Sequence, residues 1–149
     1  MEDVILSFRN SLTEIMLERN LTIVELAKGI WSDPSTVRKW FDRVKDIKLS
    51  TLLKLADYFN CSLEYLCGKT HDNQRFDSCP CKRFGIRIKE IISEYKLIPY
   101  NFLNEIGVMP SRYYYWLSGG EPMLTTLNAM ATHLGIALDK LVGRIGSGQ

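Results

Sequence analysis

Apolar residues return at steps of three and four along nearly the whole chain. Ile5, Phe8, Leu12, Ile15 and Met16 form one stripe, and Leu52, Leu55, Ala56 and Phe59 another. Further on, Phe84, Ile88, Ile91 and Ile92, then Leu127, Met130, Ala131 and Leu134, do the same. That step lines one face of a helix, whereas a half-buried strand alternates at every second residue. The pattern predicts helices near 4–19, 22–29, 34–42, 50–59 and 63–67, and again near 83–95, 99–106, 110–117, 125–134 and 137–142. Polar residues mark several starts. Thr22-Ile23-Val24-Glu25 has the form of a capping box. Asp33-Pro34 offers an N-cap followed by proline at the first helical position, Pro99 repeats the proline, and Ser62 can cap a short last helix.

The two sets of helices come from a sequence written twice. Phe8 aligns with Phe84, and the match runs without a gap to Phe41 on Leu117, carrying Pro34-Ser35 onto Pro110-Ser111 and Trp40 onto Trp116. After a slip of one residue it resumes with Leu52 on Leu127, Ala56 on Ala131, Leu63 on Leu138, Leu66 on Leu141 and Gly68 on Gly143. Two copies are too few for a solenoid and read as a tandem pair of small domains. The boundaries fall at 1–68 for the first domain and 83–144 for the second, with 69–82 as a short polar linker.

A hydrophobic share of 46% excludes a disordered chain, and no apolar run reaches the length of a membrane span. Met1-Glu2-Asp3 lacks the basic start of a secretory leader, so the expected location is cytoplasmic. The net charge of +2 says little, but its distribution says more. Arg38, Lys39, Arg43, Lys45 and Lys48 crowd one stretch, and Arg75, Lys82, Arg83, Arg87 and Lys89 another. Each excess suits a polyanion or, equally, a solvated face.

Five short helices, with the second and third joined by a tight turn and a tryptophan late in the third, resemble the lambda-repressor-like helix-turn-helix family of the Cro type. The marks are Thr22, Leu26-Ala27, Pro34-Ser35-Thr36-Val37, Trp40, Leu52, Leu55-Ala56 and Leu63 to Leu66, and most return in the second copy. The resemblance implies an all-α protein whose third helix enters the major groove of double-stranded DNA while the second lies across it and holds a phosphate. On that helix Ser35, Thr36, Arg38 and Lys39 face outward toward base edges, with Val37 and Trp40 turned inward. Thr22, Arg43, Lys45 and Lys48 are placed for phosphates, which position the protein without specifying sequence.

Each copy departs from the pattern. The turn between the second and third helices wants glycine: the second copy has Gly107, the first Trp31, which implies a reshaped turn or an aromatic packed on the surface. Ala27 is replaced by Leu103 and Val37 by Tyr113. The third helix of the second copy, Ser111-Arg112-Tyr113-Tyr114-Tyr115, carries one charge, and its Ser111, Arg112, Tyr114 and Tyr115 form a second DNA surface or a partner surface. The preferred reading gives the second copy a dimerisation role, so that a homodimer presents two first domains to a palindrome. A linker of about 14 residues could also span the roughly 34 Å between half-sites within one chain.

Cys61 and Cys67 match Ile136 and Val142 and read as core residues. Cys67, His71, Cys79 and Cys81 could together ligate a metal, but their spacing is not a common zinc one, so no metal or other cofactor is expected. A redox-responsive pair at Cys79 and Cys81 is a minor third reading. His133 reads as surface. No phosphate loop, nucleophile elbow or metalloprotease motif suggests an enzyme or a small-molecule substrate. The sequence thus points to a sequence-specific transcriptional regulator, a repressor of bacterial, phage or mobile-element origin. The rival is a protein–protein adaptor using the same fold without DNA.

Overall fold

The computed structural model describes residues 3–42, 46–72, 76 and 82–144. Among them lie ten helices and no strand beyond one isolated bridge. The first half holds α1 (Val4–Glu18), α2 (Ile23–Gly29), α3 (Pro34–Asp42), α4 (Leu49–Phe59) and α5 (Leu63–Leu66). The second holds α6 (Phe84–Glu94), α7 (Pro99–Glu105), α8 (Ser111–Leu117), α9 (Leu124–Leu134) and α10 (Leu138–Val142). These bounds follow the sequence periodicity closely because the start signals act as expected. Thr22 accepts from the Glu25 amide while Glu25 accepts from that of Thr22, and Ser62 accepts from Tyr65. Asp33 accepts from Ser35, and Pro99 opens α7.

The expected stripes build the core. Phe8, Leu12, Leu52, Leu55, Phe59, Ile88, Ile91, Leu127 and Met130 are all buried. Cys61 and Cys67 join them. Backbone strain repeats as well. Asn20, Trp31, Asn60 and Gly68 have positive φ, and so do their aligned partners Lys96, Gly107, Gly135 and Gly143.

The halves are packed together. α5 meets α10, and α1 rests on α9. Lys48 and Met123 pair in an antiparallel bridge, with Leu49 donating to Pro122 O at 3.1 Å and Leu124 to Ile47 O at 2.8 Å. Arg144 is buried at this junction. It donates to Cys61 O at 2.7 Å, Asp139 at 3.1 Å and Asp57 at 3.0 Å, and lies over the Phe76 ring. Phe76 falls within the segment expected to be a polar tether, yet it is buried and its amide donates to Asn60 O. The Arg144 guanidinium over its ring and the backbone hydrogen bond to Asn60 anchor Phe76 against the protein, so the reach of a free linker does not govern how the halves are arranged.

Candidate nucleic-acid interface

α3 is seated from below and open from above. Val37 and Trp40 are buried, and Trp40 meets Phe8 edge to face with centroids 6.4 Å apart. Leu26 and Ala27 of α2 are fully buried beneath the turn. Arg9 of α1 donates to the carbonyl of Phe41, fixing the far end of α3. This positioning role is not legible in the sequence, because Arg9 stands among the polar positions of an amphipathic helix. With one face locked, helical geometry leaves Ser35, Thr36, Arg38 and Lys39 exposed together. Among the described residues, no hydrogen bond or ion pair engages the side chains of Arg38 and Lys39. This face can offer hydroxyls and two cationic donor groups to base edges.

The flanking positions differ from one another. Lys48 is exposed although its backbone forms the bridge to Met123. Thr22 is exposed, but its amide is engaged by Glu25, so a phosphate there meets a carboxylate already in place. Arg43 and Lys45 lie outside the described residues. The second basic cluster is partly structural. Arg87 donates to Leu141 O at 3.0 Å and Lys140 O at 2.7 Å, and shares Glu90 with Lys82. Arg87 holds α6 to the end of α10, and both cations balance the Glu90 carboxylate.

The turn is not reshaped by Trp31. Trp31 has φ 57° and Gly107 has φ 77°, so both turns use the left-handed conformation. Nor is the indole packed on the surface: it is 91% exposed. The outward face of α8 is aromatic. Tyr113 is half-buried, Tyr114 is 73% exposed, and Tyr115 lies under the Arg112 guanidinium and against Gly120. Ser111 and Arg112 are exposed.

The cysteines divide. Burial pushes the Cys61 thiol up to about 11 and the Cys67 thiol higher still. Such thiols are poor ligands and poor nucleophiles. His71 is exposed, and Cys79 and Cys81 lie outside the described residues. No group of three potential metal ligands forms among the described residues. His133 is exposed and 3.1 Å from Glu105. No helix among the described residues is long and apolar enough to cross a membrane.

Residues 12–66 match the family model described as Helix-turn-helix. The matched span contains α2, α3 and the turn between them, and this family is one of DNA-binding regulators. Comparisons with curated proteins and with solved structures find no match.

Proposed function

We propose that the protein is a sequence-specific DNA-binding transcriptional regulator, acting as a repressor. It consists of two tandem lambda-repressor-like domains. The first inserts α3 in the major groove, with Ser35, Thr36, Arg38 and Lys39 at bases and Thr22, Arg43, Lys45 and Lys48 at phosphates. One observation carries this reading: within the matched segment, four polar or cationic side chains stand exposed on a helix whose other face is locked by Val37 and Trp40. The aligned left-handed positions and the shared helix order support the second domain.

Arg38→Ala with Lys39→Ala tests the reading. Each good base contact contributes about 1–3 kcal/mol, so specific binding falls about a hundredfold or more while the helical signal is unchanged. Unchanged affinity for a selected duplex at fixed salt contradicts it, because binding would then rest on phosphates alone.

The adaptor reading draws on the second half, where Ile98, Tyr100, Met109 and Tyr114 are all more than 60% exposed. Heparin chromatography separates the two. Salt-sensitive retention supports nucleic acid, and flow-through supports an adaptor.

A further inference from the structure

We infer that a single chain is a built-in pseudo-dimer, whose α8 reads a second, unlike DNA element beside the one read by α3. The inference rests on α3 being a DNA reader, as proposed above. Its own support is the interface between the halves, where residues meet their repeat counterparts reciprocally.

Lys48 bridges Met123, its counterpart in the repeat. Ser50 donates from its amide and hydroxyl to Glu121, at 3.1 and 2.6 Å. In return Thr125, the counterpart of Ser50, donates from its amide at 3.2 Å and from its hydroxyl to Asp46, the counterpart of Glu121. Asp139 accepts from the Leu63 amide at 2.8 Å, while its counterpart Glu64 faces the Leu138 amide. When i meets j and j meets i, the two units are related by a two-fold rotation, the signature of an isologous dimer. Here both units belong to one chain.

This geometry has two consequences. A second chain cannot form the same contact, because the Leu49 and Leu124 amides and both carboxylates are already engaged. The rotation also brings α8 into the position that mirrors α3. Six steps along the chain lead from the end of each helix, Asp42 or Leu117, to its bridging residue, Lys48 or Met123. At about 3.3 Å per residue, each reading helix ends within roughly 20 Å of the axis, compatible with half-sites about 34 Å apart. Lys48 of the first half and Arg112 and Tyr115 of α8 line one hollow, so the outward face of α8 is continuous with the phosphate-contacting edge of the first half.

Arg112 can donate to a base or phosphate, and Tyr114 can contact a thymine methyl or stack against sugar. Those groups do not duplicate Thr36 and Arg38, which they replace, so the bound sequence is bipartite and not palindromic.

The test uses the full chain, sequences selected from a random duplex library, and the mass of the protein–DNA complex. One chain per duplex is expected, on a site of two unlike elements about one helical turn apart. Arg112→Ala with Tyr114→Ala, both exposed, should weaken binding about tenfold and relax one element only. Arg38→Ala should relax the other. Two chains on an inverted repeat overturn the inference, as does a single element untouched by the α8 variant; either leaves α3 as reader. If the wild-type chain enriches no sequence, the DNA reading fails and the inference goes with it.

Discussion

The two halves share a helix order and differ where they face solvent. In the first, α3 shows Ser35, Thr36, Arg38 and Lys39; in the second, the same positions on α8 are Ser111, Arg112, Tyr114 and Tyr115. Beneath, both keep the tryptophan edge to face with a phenylalanine, Trp40 on Phe8 and Trp116 on Phe84. Yet they seat the helix differently. Arg9 reaches across to the Phe41 carbonyl, whereas its counterpart Gly85 lets α6 come against the backbone of α8. The lesson is that a core pair can be held constant while the exposed face is exchanged, since the two are on opposite sides of a short helix.

The largest effect should come from that shared pair. Trp40→Ala and Trp116→Ala should each cost about 3–5 kcal/mol, read from urea unfolding of the full chain. Because the halves are joined by buried polar contacts, both variants should lower one common transition. Two separate transitions, each moved by only one substitution, would break the comparison into independent domains.

Next comes the seat. A Cβ at Gly85 would lie 2.4 Å from the Trp116 carbonyl oxygen. Gly85→Ala should therefore cost about 1–3 kcal/mol by forcing α6 and α8 apart. An unchanged urea midpoint would show that the close approach is dispensable.

The turns give a smaller effect of opposite sign in each half. Trp31 holds a left-handed backbone at roughly 1–2 kcal/mol, and glycine gives back about 0.5–1 in lost chain freedom. Trp31→Gly should raise stability by about 0.5–1 kcal/mol. Gly107→Ala should lower it by about 1 kcal/mol through the backbone alone, as a Cβ there meets nothing within 4 Å.

The smallest at neutral pH is a pH effect in the first half, where the second has Ile136 in place of Cys61. Burial holds the Cys61 thiol at about 11 against 9.0 in the open chain. The folded state therefore keeps a proton that the unfolded state releases. Stability should be full below pH 9 and fall as pH rises toward 11. Cys61→Ala should lessen that decline and leave the part contributed by Cys67, whose thiol burial raises further, and an identical slope in both proteins would exclude the Cys61 thiol as a source.

Helix positions were legible because period and caps agreed at each start, as at Thr22, Asp33, Ser62 and Pro99. The exposed face of α3 was legible for the same reason, since burying Val37 and Trp40 turns Ser35, Thr36, Arg38 and Lys39 outward. The joining of the halves was not. Arg144, Asp139 and Glu64 are charged, and charge in a sequence signals solvent unless the partner is known. The clue lay in aligned polar pairs, Asp46 with Glu121 and Ser50 with Thr125, which a search for apolar positions passes over. Arg87 misled in the opposite direction: it counted toward a basic patch but closes the end of α10.

Sequence reading by α3 is the proposal on which the rest depends. Selection from a random duplex library, at one moderate salt concentration, with the wild-type chain and with Arg38→Ala plus Lys39→Ala, tests it most directly. Wild type should enrich a sequence, and the element beneath α3 should be lost in the variant. The same enriched sequence from both proteins, or none from wild type, would contradict it.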